Sequence, residues 1–314
     1  MLTRRESLLL FAAALLPSRS HAAPEPLSFQ RGLMGTRFVI SCHHEDPKLV
    51  SEAVAAALAE AERINAVASD YIADSEVLSI GKVPAGTPVK VSPLLFSLLV
   101  EARAQAEKTD GLFDPTIGPL TRLWRETRRR KTLPDDATLA RAMAAVGWRK
   151  LILDPAESTV TLSVPEMRLD LGGIAKGQAA DRMMAILERY GIRSSSVTAG
   201  GDVRVGDPPP GKAGWNIGVR NMEVGRNSTE LSLHHQAVST SGDLRQFIEI
   251  GGVRYSHIID PKTGLGLLES VAVTVIGEKS AISDALATAC CIAGPGKAET
   301  LAAAQGAKVF FAPH

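Results

Sequence analysis

The sequence is poor in aromatics, in cysteine and in net charge, and each shortage removes a class of function. Aromatic residues make up 4% of the 314, too few for a module that holds nucleic acid by stacking its bases. Against 34 Asp and Glu stand 35 Lys and Arg, a formal charge of +1, so bulk attraction to nucleic acid or to an anionic membrane is not expected. The three cysteines, Cys42, Cys290 and Cys291, form no CxxC pair, and the sequence has no HExxH. A zinc site is therefore not expected. Neighbouring cysteines rarely bridge each other, which leaves Cys42 with one of the pair as the only candidate disulfide, and buried free thiols as the expected state. No apolar run approaches the roughly 20 residues that cross a bilayer, so no stable membrane insertion is expected.

What is present reads as a globular chain with a leader. Hydrophobic residues are 45% and charged residues 22%, ordinary usage for a protein that buries a large core. Residues 1–22 carry Arg4 and Arg5, an apolar run from Leu8 to Leu16 and a small-residue exit at Ser20-His21-Ala22. This pattern predicts a signal peptide of the twin-arginine type. Removing it takes away Arg4, Arg5, Arg19 and Glu6, turning the formal +1 into −1. The rest, 23–314, is expected to be one domain, soluble and periplasmic, with no internal repeat and no long linker.

Apolar spacing predicts helices over Pro47 to Val67, Pro93 to Lys108 and Leu120 to Lys131, and further helices after Gly173 and Ser280. The third carries Arg122, Arg125, Arg128, Arg129, Arg130 and Lys131. A solvated face explains such a cluster most simply, and a dock for an acidic partner is the alternative. Short strands are predicted at Arg37 to Ser41, Val89 to Val91, Leu151 to Leu153, Val160 to Ser163, Met167 to Leu171 and Ser195 to Ala199. Five more fall at Asp202 to Val205, Trp215 to Val219, Glu230 to Leu233, Phe247 to Ile250 and Val271 to Ile276. The order is neither βαβ nor all-β, so the predicted class is α+β, with mixed or antiparallel sheets and packed helices.

Two constellations carry chemistry. In Arg168-Leu169-Asp170-Leu171-Gly172-Gly173-Ile174-Ala175-Lys176-Gly177, two glycines open a helix where backbone N–H groups can approach an anion, and Lys176 adds a point charge. The text is neither a Walker loop nor a GxGxxG turn; a plain strand-to-helix turn is the other explanation. In Ser283-Asp284-Ala285-Leu286-Ala287-Thr288, a carboxylate and a hydroxyl one turn apart are hard oxygen donors of the kind Mg²⁺ takes. Weaker signals are Ser239-Thr240-Ser241-Gly242-Asp243, Ala199-Gly200-Gly201-Asp202, and Tyr255 to Pro261 with His257 between apolar neighbours. His43, His44, His234 and His235 read as solvated pairs.

Together with Met34-Gly35-Thr36, Phe113 to Leu120 and His257 to Gly264, these segments resemble the FAD:protein FMN transferase (ApbE) family, in that family's order, from about Phe29 to Gly294. The resemblance implies a two-lobed, T-fold-like architecture and a Mg²⁺-dependent enzyme that takes FAD as substrate. It would transfer FMN through a phosphoester to a threonine of an acceptor flavoprotein subunit and release AMP. The implied metal ligands are Ala175, by its carbonyl, with Asp284 and Thr288. The implied FAD contacts are Met34, Tyr71, Gly111, Leu112, Phe113, Asp170, Gly172, Gly173, Lys176 and His257, and His257 and Asp284 are the implied catalytic groups. Acceptors of the Rnf, Nqr or nitrous-oxide-reduction regulator type are implied as partners. FAD pyrophosphatase and a non-catalytic flavin carrier are the competing functions. Gln178, where many members have an aromatic, and Gly81, where many have asparagine, depart from the pattern.

Overall fold

A computed structural model describes residues 25–219, 229–243 and 246–312; the leader at 1–22 lies outside the described residues. The chain opens with the hairpin β1 (Leu27–Leu33) and β2 (Thr36–Cys42), followed by α1 (Pro47–Ala68), α2 (Glu76–Ile80), β3 (Val89–Lys90), α3 (Pro93–Lys108), α4 (Gly118–Arg130) and α5 (Asp136–Ala144). A short 3₁₀ turn leads to β4 (Leu151–Asp154), β5 (Thr159–Leu162), α6 (Ala175–Arg189), β6 (Ser195–Ala199), β7 (Asp202–Val205), β8 (Trp215–Val219), β9 (Thr229–Leu233) and β10 (Ala237–Gly242). The last elements are β11 (Phe247–Ile250), β12 (Val253–Ser256), β13 (Ala272–Gly277), α7 (Ser280–Ala293), α8 (Pro295–Ala303) and β14 (Lys308–Ala312). The α+β class is as predicted.

The main sheet has the order β1-β2-β6-β7-β10-β13-β14, with every neighbouring pair antiparallel. Helix α6 lies against β6 and β7, and α7 against β10 and β13. All six residues of β13 are buried. Its Val273 and Val275 pack with Leu286 and Cys290 of α7, while Ile276 joins Val205, Val238 and Trp215 in a cluster that includes the β8–β9 hairpin. A strand covered on both faces reads as a continuous apolar run, which is how Val271 to Ile276 appears in the sequence.

Local chemistry fixes the helix starts. Asp46 accepts from the N–H groups of Lys48 and Leu49 ahead of α1, with Pro47 in its first turn. Ser92 caps α3 through Leu95 N–H and is itself held by the Glu76 carboxylate at 2.6 Å. No side chain of its own segment caps α7. Instead Asp181, on α6, receives the N–H groups of Ser280 and Ala281, both at 2.9 Å. The two helices cross so closely that a Cβ at Gly177 would stand 2.3 Å from the Ser280 carbonyl oxygen. Sequence and space thus lock the start of α7 against the first turns of α6.

Three expectations need correction. Met167 to Leu171 is not a strand: its burial alternates as in one, but only the bridge Ile117–Arg168 and an Asp170 N–H to Pro115 carbonyl bond at 2.9 Å flank it. The alternation comes from facing the core alone, without a ladder partner. The hydroxyl-rich segment around Ser239-Thr240-Ser241, absent from the predicted strands, is β10, between β7 and β13. His43 is half-buried rather than fully solvated, tilted against Trp215 at 5.7 Å between ring centroids. All three cysteines are free and buried, as expected, and no helix among the described residues is long and apolar enough to cross a membrane.

The crossing generates a prediction of reversed sign. A glycine inside a helix ordinarily gains about 1 kcal/mol on replacement by alanine, yet Gly177→Ala should lose about 1–3 kcal/mol because the added methyl overlaps backbone. Asp181→Ala, which strands two N–H groups, should lose a comparable ~1–3 kcal/mol. Urea unfolding of both variants measures the losses.

Candidate active site

The site forms where one end of the main sheet meets the α6–α7 crossing. Asp170 turns its carboxylate back to accept the Gly172 N–H at 2.9 Å, and the turn closes with Ala175 N–H on the Leu171 carbonyl at 2.8 Å. Neither Gly172 nor Gly173 adopts a positive φ. Gly173 is small for another reason: a Cβ there would sit 3.3 Å from both the Phe113 ring and the Thr288 hydroxyl. Phe113 is fixed from behind by the Asp114 turn, whose carboxylate takes Thr116 N–H at 2.8 Å and Trp148 N–H at 2.9 Å. Burial raises the Asp114 carboxyl above its ordinary range against those hydrogen bonds. Gly111 has φ +74, with a Cβ position 3.2 Å from the Trp148 indole.

At the second position of α6, Lys176 reaches across to α7. Its Nζ lies 3.1 Å from Asp284 Oδ2, 3.2 Å from Asp202 Oδ2 and 3.2 Å from the Gly172 carbonyl. Gly177 N–H donates to the same Asp284 oxygen at 3.2 Å. Burial opposes the lysine's charge, but the two carboxylates outweigh it and hold Lys176 above the usual lysine range. Burial and Asp284 push Asp202 up to about 7, against the pull of Lys176. Thr288, one turn on from Asp284, shares a 3.3 Å hydrogen bond with Ser241 of β10. Ser239 Oγ, opposite Asp202 in the strand register, is buried without a hydrogen-bond partner.

The rim is built from α4. Arg125 bonds Asp70 and lies 3.8 Å from Asp170, and its guanidinium stacks 4.1 Å under the Tyr71 ring, which is 78% exposed. Burial and the nearby Asp170 raise the Asp70 carboxyl, with Arg125 opposing. Met34 is the left-handed corner of the β1–β2 hairpin, at φ 51. The adjoining Thr36 closes on Gly200, whose Cβ position would be 2.8 Å from the Thr36 hydroxyl. His257 is half-buried, its Nδ1 3.1 Å from the Gln246 carbonyl. Burial lowers its pKa below the ordinary histidine value, opposed by Gln246 and Asp243, while Arg128 and Lys176 add to the lowering. A carbonyl only accepts, so Nδ1 carries the proton and Nε2 keeps its lone pair.

The structure thus links Asp170, Gly172, Gly173, Phe113, Lys176, Asp284 and Thr288 through direct contacts, and Tyr71 by way of Arg125. Gly111 attaches through Trp148 and Leu112 through its neighbour Phe113, while Met34 stands at the hairpin corner whose Thr36 meets Gly200, with no hydrogen bond to the set among the described residues. His257 stands apart: its ring meets the Gln246 carbonyl, and no hydrogen bond joins it to the other site residues among the described residues. The residues missed by sequence reasoning are Arg125, concealed in a basic run whose other members are exposed, and Asp181, which carried no local signal. Asp202 and Ser241 lay in motifs judged weak; a carboxylate directly after two glycines was the available sign.

Backbone N–H groups, an ammonium and oxygen donors on one flank of a helix crossing form a surface suited to a phosphate-bearing ligand. A family model described as the ApbE family matches residues 34–311, and the chain belongs to that family. A relative named FAD:protein FMN transferase from Vibrio cholerae is 30% identical, over 96% of this chain and 91% of its own length. One of the same name from Rhodobacter capsulatus is 36% identical over 71% of this chain, but the match spans only 43% of the relative. The apo flavinyl transferase ApbE of Pseudomonas stutzeri superposes with a TM-score of 0.81 at 27% identity, covering 93% of this chain and 92% of that one. The ApbE protein of Thermotoga maritima gives 0.80 at 32%, covering 91% and 94%.

Two measurements follow. Gly173→Val fills the gap between Phe113 and Thr288 and should weaken FAD binding at least about tenfold if that gap admits phosphate; fluorescence quenching reads it. His257 should titrate below the ordinary histidine pKa of about 6.5, seen by NMR of its ring. Because the native pKa is the lower one, its stabilising contribution is whole above the unfolded pKa and is lost as pH falls. Relative to His257→Asn, the wild type should therefore lose stability in urea melts on going from neutral to acidic pH.

Proposed function

We propose that the chain is an FAD:protein FMN transferase acting in the periplasm on a threonine of an exported or membrane-bound redox subunit. The observation that carries this reading is the convergence of Gly172, Gly173, Lys176, Asp284 and Thr288 on one flank of the α6–α7 crossing. The naming of the relatives and the twin-arginine-like pattern around Arg4 and Arg5 support it.

In this reading the Gly172-Gly173 turn and Lys176 receive the FAD pyrophosphate, and Tyr71, braced by Arg125, offers its exposed ring to a flat group of the ligand. The donor set suits Mg²⁺. Asp284 and Thr288 supply a carboxylate and a hydroxyl one turn apart, the Ala175 carbonyl belongs to the first residue of α6, Asp202 Oδ2 lies buried with only the Lys176 ammonium beside it, and Ser239 Oγ lies buried without a hydrogen-bond partner. One carboxylate, one hydroxyl and one carbonyl would leave positions for phosphate oxygens and water. Bound there, the ion would spread the charge that develops as phosphoryl transfer proceeds.

The acceptor hydroxyl attacks the FMN-side phosphorus, a phosphoester bond forms, and the bond to AMP breaks. His257, neutral at neutral pH with its Nε2 lone pair available, takes the hydroxyl proton. Acceptors of the Rnf, Nqr or nitrous-oxide-reduction regulator type fit the chemistry, since their flavin domains would need to meet this enzyme outside the cytoplasm.

Incubating the protein with FAD, Mg²⁺ and a threonine-bearing acceptor domain should add one FMN by intact mass and release an equal amount of AMP. Asp284→Ala should slow the transfer at least about 100-fold, the loss of several kcal/mol of charge stabilisation. AMP release without acceptor labelling would show a pyrophosphatase, and no AMP at all a carrier.

A further inference from the structure

The contacts of Lys176 conflict with the use just assigned to Asp284. The ammonium sits 3.1 Å and 3.3 Å from the two Asp284 oxygens, and Gly177 N–H also occupies Oδ2. A divalent ion at Asp284 meets a carboxylate whose charge is already neutralised from within the chain. Asp202 gives the lysine a second place to rest. It is 2% exposed, 3.2 Å from Nζ, and its Oδ2 has no other hydrogen-bond partner. The Gly172 carbonyl, 3.2 Å from Nζ, ties the same ammonium to the turn that faces phosphate.

We infer that Lys176 is a built-in competitor for the metal, so that the nucleotide-free protein binds Mg²⁺ weakly and the ligand's pyrophosphate, by drawing Lys176 off Asp284, admits the ion. The inference rests on the Mg²⁺ and FAD reading above and adds an order of events to it. The lysine ammonium is one unit charge at salt-bridge distance from a carboxylate that is 4% exposed. In so dry a place it opposes a second cation strongly. A pyrophosphate beside Gly172 offers Lys176 a new anionic partner without requiring it to leave the turn. Metal and FAD then favour each other by the same factor, as linkage demands. The arrangement also spares the free protein two buried carboxylates, Asp202 and Asp284, facing each other without a cation.

The test is calorimetric titration of nucleotide-free protein with Mg²⁺ alone. Lys176→Gln should bind Mg²⁺ about tenfold or more tightly than wild type, an effect opposite to that of an ordinary lesion in a site. Lys176→Arg, which keeps the charge, should stay within about threefold of wild type. Arg128→Gln removes one positive charge from the rim without touching Asp284, and should also stay within about threefold. In EDTA the Lys176→Gln protein should bind FAD more weakly by fluorescence quenching, since the phosphate loses its lysine.

Thermal melts of each variant establish that it is folded, and Lys176→Met replaces Lys176→Gln if the latter is not. Mg²⁺ binding to Lys176→Gln no tighter than to wild type overturns the competitor role and leaves the transferase reading standing. So does an equal gain in Arg128→Gln, which would make the effect one of general charge. Absence of Mg²⁺ binding in every protein, with and without FAD, overturns both.

Discussion

The fit of α7 into the start of α6 is the constraint on which the other parts depend. Gly177 leaves no side chain between the helices, and Asp181 binds the first N–H groups of α7. With that contact in place, Lys176 and Asp284 fall within salt-bridge distance, and Thr288 comes beside Gly173. Arg204 of β7 adds a 3.4 Å contact to the same Asp181, so the carboxylate that aligns the helices also ties them to the sheet strand carrying Asp202. A rotation of α7 by even part of a turn would separate its ligand-type oxygens from the glycine turn. Packing here sets the spacing of chemical groups more than it sets stability.

Much of this was legible in the sequence, for unequal reasons. The long helices were readable because apolar spacing and proline starts act locally, as at Asp46-Pro47 and Ser92-Pro93. Strand β13 was readable as an apolar run because it is covered on both faces. The segment Met167 to Leu171 misled because burial on one side produces the same alternation whether or not a neighbouring strand is present. Strand β10 was obscured by its hydroxyls: Thr240 pairs with Thr274 at 2.8 Å and Ser241 with Thr288 at 3.3 Å, contacts that only the sheet and α7 together create.

The candidate site divides along the same line. Gly172, Gly173, Lys176, Asp284 and Thr288 announced themselves as short motifs, since a turn opening a helix and an i, i+4 pair are local geometries. Family resemblance added residues with no chemistry visible in their neighbourhood, such as Met34 and Tyr71. Arg125 was out of reach of both. Its role depends on 55 residues of intervening chain bringing Asp70 alongside, and in the sequence it is one arginine among several. Asp181 illustrates the general case: a buried carboxylate that serves another helix's N-terminus has no pattern in its own.

The three cysteines bear on how the folded chain would fare outside the cytoplasm. Cys42 and Cys290 are fully enclosed and Cys291 nearly so; burial raises the Cys290 thiol to about 12 and moves the other two upward as well. Burial disfavours the thiolate and shields the sulfurs from solvent, which slows their reaction with oxidants in the native protein. An unfolded copy lacks that shield, because it exposes three ordinary thiols to whatever disulfide chemistry is at hand. The core therefore acts as a chemical seal, and the rate at which a thiol reagent labels the protein is a direct count of the molecules that have opened.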